Sequence, residues 1–175
     1  QPNLLEHKLK IKPGFPEEWE YASLNLPDLD VAFKKTGNES VYHIVNKFKT
    51  DVDLELELSI NTTAIKAVLV NGNSVNYQPV AEAIGKPKTL IPAGIHKNYT
   101  IQVTTEGNTP ERLQSNAFYT QGAAFVLTSN KAELLELKDP QQVLANPQLT
   151  KHQLTGQIAS ETGHKMFFVK LKQNE

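Results

Sequence analysis

The clearest pattern in the chain is a strict alternation of polar and apolar residues from Asp51 to Ile60, in which four of the five polar residues are acidic. The apolar positions of this stretch are Val52, Leu54, Leu56, Leu58 and Ile60. Successive side chains of an extended strand point to opposite faces, so these five share one face and the acids share the other. One dry face and one wet face are typical of an antiparallel sheet rather than of a doubly covered parallel sheet.

Further short strands are predicted along the whole chain. Asn71-Gly72 tolerates the positive φ angles of a type I′ turn and predicts a hairpin, and Ser129-Asn130-Lys131 predicts another. Pro92-Ala93-Gly94 predicts a turn between two strands. The remaining strands are predicted at 8–12, 20–26, 31–35, 40–48, 65–70, 74–77, 89–91, 99–104, 123–128, 133–138, 152–158 and 165–172.

Many short strands without a long amphipathic helix indicate an all-β fold, namely an antiparallel, jelly-roll-like β-sandwich. One short helix or turn is expected at Pro140 to Ala145, capped by Asp139. A chain of 175 residues suits one domain, so residues 1–175 are predicted to form a single sandwich. Because Gln1 is not an initiator methionine, we expect a fragment of a larger multidomain protein, with residues 1–19 as the entry segment from a preceding domain.

Composition argues against several classes of function. The 18 basic and 19 acidic residues give a net charge of -1, without the basic stripe that nucleic-acid binding requires. No apolar run approaches the ~18 residues of a membrane span. The absence of cysteine removes disulfides and thiolate chemistry. The sequence also lacks a phosphate-binding glycine loop and a nucleophile elbow, so no cofactor and no catalytic residue is predicted.

The most specific motif lies near the start of the chain. Residues 9–19 read Leu-Lys-Ile-Lys-Pro-Gly-Phe-Pro-Glu-Glu-Trp. Two prolines fix φ and remove two backbone donors, so this segment should cross from one structural element to another. The segment resembles the entry to the C-terminal accessory β-sandwich of bacterial six-hairpin glycosidases, which are built on an (α/α)6 barrel.

That resemblance implies that catalysis takes place in a domain other than the sandwich. In the glycosidases the helical barrel carries the catalytic carboxylates, and the accessory sandwich folds against its side. No barrel precedes the motif here, so no catalytic residue of the family carries over, and the chain alone is not expected to be an enzyme. The implied partner is a helical catalytic domain of the same polypeptide, and the implied compartment is periplasmic or extracellular.

Aromatic residues supply the candidate site. Phe15, Trp19 and Tyr21 are predicted to contact either a carbohydrate or a neighbouring domain, because sugars stack on exposed rings and large rings bury much area at domain junctions. The domain-interface role is favoured by the neighbouring prolines. The remaining candidates for a ring platform are Tyr42, Tyr77, Tyr99 and Tyr119.

The acidic row and the histidines are weaker candidates. Carboxylates two residues apart on a strand lie about 7 Å apart in a straight row, whereas glycosidase carboxylates flank the substrate. A solvated strand face that discourages edge pairing is therefore favoured for the acids from Asp51 to Glu57. The five histidines are spread along the sequence without a local pair, so no metal site is predicted.

Two functions remain open. An accessory sandwich should expose an apolar patch near Phe15, Trp19 and the early strands. The alternative is a free-standing carbohydrate-binding or adhesion-type module of an exported bacterial protein, with a glycan as its partner. Such a module should show an exposed aromatic row or a polar groove with convergent side chains.

Overall fold

The computed structural model describes residues 2–3, 6–116, 118–159 and 161–173. The chain divides into two compact units, Gln1–Asn108 and Thr109–Glu175. Each unit has a hydrophobic core of its own. The assignment of residues 1–175 to a single domain, and of the chain to a larger protein, stays a prediction.

The described residues form strands and loops, which confirms the all-β fold class. They contain no helix with the length and apolar character needed to cross a membrane. The strands are β1 Pro2–Asn3, β2 Lys8–Ile11, β3 Tyr21–Asn25, β4 Leu29–Thr36, β5 Glu39–Asn46, β6 Asp53–Ser59, β7 Ala64–Val70, β8 Asn73–Ser74, β9 Gln78–Pro79, β10 Lys88–Ile95, β11 Asn98–Glu106, β12 Ala124–Thr128, β13 Glu133–Lys138, β14 Leu144–Leu149, β15 Gln153–Ile158 and β16 Phe168–Lys172.

The first unit is a sandwich of two sheets. One sheet has the order β1-β2-β6-β10-β9 and the other β3-β4-β5-β11-β7-β8. The pairs are antiparallel except for β2 and β6, which run parallel. Apolar side chains from both sheets join one core, so the two inner faces pack on each other.

The apolar residues at every second position of β6 and β11 form part of this core, as the sequence predicts. All five apolar residues of the stretch from Val52 to Ile60 are buried. In β11 the residues Tyr99, Ile101 and Val103 are buried in the same way. The sequence period of two therefore identified the inner face of both strands correctly.

The turns of the first unit follow the prediction at one position and depart from it at another. Asn71 and Gly72 have φ angles of 50° and 82° and join β7 to β8, as a type I′ hairpin requires. The predicted turn at Pro92-Ala93-Gly94 is wrong, because β10 continues through it with a shift of register between Pro92 and Gly94. The buried Tyr99 hydroxyl donates to the Gly94 carbonyl at 3.0 Å and stabilises this bulge.

The second unit contains two smaller sheets. One has the order β12-β15-β14 and the other pairs β13 with β16. Its core consists of Phe125, Leu127, Leu134, Leu144, Leu154 and Ile158. The hairpin predicted around Ser129-Asn130-Lys131 is wrong, since β12 and β13 pair with different later strands instead of with each other.

The short helix expected at Pro140 to Ala145 is also absent, and the alternative of a turn is correct. The chain turns at Pro140 and enters β14 at Leu144. Asp139 still caps this turn, because its carboxylate accepts hydrogen bonds from the backbone N–H groups of Val143 and Leu144, each at 2.9 Å. The capping residue Asp139 therefore predicted that the chain turns here. It could not show whether the turn continues into a helix, because the same side chain caps both structures.

The hairpin geometry generates a first prediction. Gly72→Ala should destabilise the first unit by about 1 kcal/mol, because an L residue is strained at its positive φ. Gly14→Ala is the matched control, since an added Cβ meets no atom within 4 Å at either position and Gly14, unlike Gly72, does not have a positive φ. Chemical unfolding followed by the fluorescence of Trp19 measures both variants. Equal stability of the two variants would contradict the prediction.

Candidate functional site

The proline-containing segment from Lys12 to Glu20 joins the two sheets of the first unit. It leaves β2 in the five-stranded sheet and enters β3 in the six-stranded sheet. The Trp19 N–H donates to the Pro16 carbonyl at 3.2 Å and closes a turn within the segment. The sequence prediction of a crossing between elements is confirmed.

A row of stacked rings connects this segment to the core. The Phe15 ring lies 6.3 Å from Trp19 and 5.2 Å from Phe33, with interplanar angles of 23° and 22°. Phe33 in turn lies 5.0 Å from Tyr42. Both Phe33 and Tyr42 are buried, and burial raises the pKa of Tyr42 to about 12. The Trp19 ring is therefore held at the end of a row whose other end is fixed in the core.

The candidate residues differ in their exposure and do not form one cluster. Trp19 is 48% exposed, and Phe15 is partly buried beneath it. Tyr21 is 81% exposed and stands in register with Lys34 on the outer face of the six-stranded sheet. In the part of the chain that the structure describes, Tyr21 takes no part in the ring row. The structure thus brings Phe15 and Trp19 together and leaves Tyr21 apart.

A pair of charges fixes the polar side of the segment. Glu17 lies 2.7 Å from the Lys86 ammonium, measured between Oε2 and Nζ. The Glu17 carbonyl also accepts a hydrogen bond from the Lys35 ammonium at 3.4 Å. Because these groups are partly exposed, each contact contributes only about 0–1 kcal/mol, but together they restrict the orientation of the turn that carries Trp19.

The other tyrosines do not provide a second platform. Tyr42 and Tyr99 are buried, so the prediction that they could form an exposed ring platform is wrong. Tyr119 is partly buried and packs on Phe125 at 5.4 Å. Tyr77 is exposed, but its hydroxyl donates to the Ile65 carbonyl at 3.3 Å. Sequence alone could not separate these residues, because tyrosine is common both in cores and at surfaces.

The acidic face of β6 is not the solvated edge that the sequence predicts. β6 lies inside its sheet between β2 and β10, and Glu57 is only 8% exposed. Three ammonium groups surround the Glu57 carboxylate: Lys12 at 2.9 Å, Lys10 at 3.8 Å and Lys88 at 3.9 Å. The hydrogen bond from Lys12 and the positive charges lower the pKa of Glu57, although burial acts in the opposite direction. The Glu57 carboxylate therefore belongs to a structural cluster of ion pairs.

The histidines also act separately. The His7 and His152 ring nitrogens contact backbone carbonyls of Asp51 and Ala132 at 3.2 Å and 3.1 Å. His43 contacts the Thr100 hydroxyl at 3.2 Å. Among the described residues, no group of three His, Cys, Asp or Glu side chains is placed to hold a metal ion.

Sequence reasoning missed one polar site in the second unit. Glu111 lies between β11 and β12, where no strand was predicted, and its carboxylate accepts a hydrogen bond from the Ser129 hydroxyl at 2.6 Å. The same carboxylate accepts the backbone N–H groups of residues 130, 131 and 132 at 2.8–2.9 Å. These hydrogen bonds, first that of Ser129, lower the pKa of Glu111 to about 2. Three successive N–H groups form an anion-binding nest, which Glu111 fills.

Comparison of the chain with protein-family models, with curated proteins and with solved structures finds no match. The residues themselves are therefore the basis for the proposals that follow.

Two matched variants test how much the charged face of β6 contributes to stability. Glu57→Gln should destabilise the first unit by about 1–2 kcal/mol, because three ammonium groups lose a buried counter-charge. Glu55→Gln should cost no more than about 1 kcal/mol, since Glu55 is more exposed than Glu57 and its carboxylate lies 3.5 Å from the Lys10 ammonium. Chemical unfolding measures both variants.

The pH dependence of this difference has a definite sign. A carboxyl group whose folded pKa is lowered stabilises the fold above its ordinary pKa and loses that contribution in acid. The advantage of the native chain over Glu57→Gln should therefore shrink as the pH falls below the ordinary range of a glutamic acid. An advantage that grows in acid would contradict this assignment.

Glu111→Gln should destabilise the second unit by about 2 kcal/mol, because an amide cannot accept all of the hydrogen bonds that the carboxylate accepts. Amide hydrogen exchange at residues 130–132 measures the loss of protection, and Glu136→Gln, at an exposed strand position, is the control. In the native chain the contribution of Glu111 should be lost between the ordinary glutamate pKa and about 2. Unchanged protection in Glu111→Gln would refute the prediction.

Proposed function

We propose that this chain is the non-catalytic accessory β-sandwich of a larger glycoside hydrolase-like protein. It packs against a helical catalytic domain of the same polypeptide through the rings of Phe15 and Trp19. The observation that carries the proposal is the half-exposed Trp19 ring, held on the segment whose sequence resembles the entry to such a sandwich. Because a contiguous exposed apolar patch marks a contact site, the Trp19 ring stacked on Phe15 is the surface that a neighbouring domain would cover.

The stacked row supports this assignment energetically. A contact residue binds best when its position is fixed before the partner arrives, since less conformational entropy is then lost. Trp19 meets this condition through Phe15 and the buried Phe33, with ring centroids 6.3 Å and 5.2 Å apart in turn. The Glu17–Lys86 ion pair at 2.7 Å adds a polar border. An apolar centre with a polar rim is the usual anatomy of a protein interface.

The proposal assigns the glycosidic chemistry to the helical domain. The acidic residues of β6 lie in one row, and the most buried of them, Glu57, is engaged by lysines. A row of this kind does not place two carboxylates on opposite sides of a sugar. The proposed compartment is periplasmic or extracellular, where enzymes of the resembled class act.

A second candidate function rests on the exposure of two rings. Trp19 is 48% and Tyr21 is 81% exposed, and a sugar could stack on either. The alternative is thus a free-standing carbohydrate-binding or adhesion-type module of an exported bacterial protein. The accessory role is favoured because Tyr21 faces away from the ring row, so the two rings do not form one continuous platform.

The coding region upstream of Gln1 tests the proposed function. We expect several hundred residues with the pattern of paired helices, including the catalytic carboxylates, because the accessory role requires a barrel. A signal peptide directly before Gln1 would overturn the accessory role and leave the binding module.

A glycan array separates the two candidates on the chain itself. The accessory role predicts no retained glycan, since its contact surface is shaped for protein. Binding that is lost in Trp19→Ala and kept in Phe118→Ala would establish the binding module, because Phe118 is an exposed ring on a loop of the second unit.

A further inference from the structure

Strand β3 is an open edge of the six-stranded sheet. It pairs with β4 on one side, and no other strand of the described residues pairs with it. Four of its five residues are exposed. An open strand edge presents unpaired backbone groups that can pair with another extended chain.

The other edges of the first unit are protected in ways that β3 is not. The edge strands β1, β8 and β9 each have two residues, and β1 and β9 contain a proline. β3 is five residues long, from Tyr21 to Asn25, and contains neither a proline nor a charged side chain. Short length, proline and charge are the features that normally prevent edge pairing. β3 has none of these features.

The register of β3 on β4 defines which of its backbone groups are free. The Lys35 N–H donates to the Glu20 carbonyl at 2.7 Å, and the Leu26 N–H donates to the Leu29 carbonyl at 2.8 Å. Since hydrogen-bonded positions alternate along an antiparallel strand, the even-numbered residues of β3 bond to β4. The N–H and C=O groups of Tyr21, Ser23 and Asn25 therefore point to the open side.

We propose that β3 pairs with β3 of a second copy of the chain, antiparallel and centred on Ser23. In this register Ser23 lies opposite its own counterpart, and Tyr21 lies opposite Asn25 of the second copy. Each residue whose backbone N–H and C=O groups point to the open side then lies opposite another such residue. Each of these pairs can exchange two hydrogen bonds. The contact is isologous, as a two-fold dimer requires, and it joins the two six-stranded sheets into one continuous sheet.

The side chains of β3 agree with this pairing. Leu24 is 48% exposed although it lies on the core-facing side in register with the buried Val31. In the proposed register Leu24 lies opposite Ala22 of the second copy, so the apolar edge of each sandwich is covered by the other. No like charges oppose each other, because the paired residues are uncharged.

This inference goes beyond the proposed function. It concerns the backbone edge of β3 and a second copy of the chain, and Phe15 and Trp19 precede the paired residues. The register leaves those two residues outside the pairing. The upstream coding region and the glycan array do not report on self-pairing, so the two proposals can fail independently.

Single cysteines test the register, because the native chain has no cysteine. Opposed hydrogen-bonded residues have Cα atoms about 5.5 Å apart, within the range of a disulfide. Ser23→Cys should therefore form a covalent dimer rapidly under mild oxidation. Asn25→Cys is the matched control, since two Asn25 residues would lie about 14 Å apart in the same register. An equimolar mixture of Tyr21→Cys and Asn25→Cys chains should yield the mixed dimer.

Sedimentation measures the uncrosslinked chain. We expect a concentration-dependent dimer for the native chain and for Ser23→Thr, which keeps the N–H group. Ser23→Pro should be monomeric. At dilutions where the native chain is also monomeric, the two should unfold at the same temperature, because the Ser23 N–H is not bonded to β4. Should Ser23→Pro fail to fold, the cysteine pair alone decides. A native chain that stays monomeric, or equal oxidation rates of Ser23→Cys and Asn25→Cys, would overturn the proposal.

Discussion

Burial of one face of β6 is the constraint on which the first unit depends. Leu54, Leu56 and Leu58 are almost completely buried, and the strand pairs with β2 on one side and β10 on the other. The opposite face carries the acids that Lys10, Lys12 and Lys88 engage. One strand therefore supplies apolar contacts to the core and ionic contacts between its neighbours, and a shift of register by one residue would lose both.

The parts of the fold that could be predicted are those that a local sequence pattern specifies. The inner faces of β6 and β11 follow from the period of two, and the Asn71-Gly72 hairpin follows from local turn chemistry. The partners of β12 and β13 could not be predicted in the same way. Their strands β15 and β16 come later in the chain, and the choice between adjacent and distant partners depends on packing that no local pattern encodes.

The candidate site shows the same division between local and distant information. Proline spacing correctly predicted that the segment around Trp19 crosses between elements. The stacking of Phe15 on Phe33 could not be predicted, because it depends on how the segment meets β4. Glu111 was missed for the same reason, since its partners lie about twenty residues away and are mainly backbone N–H groups, which leave no trace in residue type.

The cluster around Glu57 links positions that are far apart in sequence. Residues 10, 12, 57 and 88 share one network of charges, so the effect of a change at one position depends on what occupies the others. A homologous chain with an uncharged residue at position 57 would leave Lys12 and Lys88 without this counter-charge, whereas Lys10 would keep its contact with Glu55. Substitutions at these four positions should therefore be correlated during evolution, and the correlation would connect β2, β6 and β10 even in sequences too divergent to align by eye.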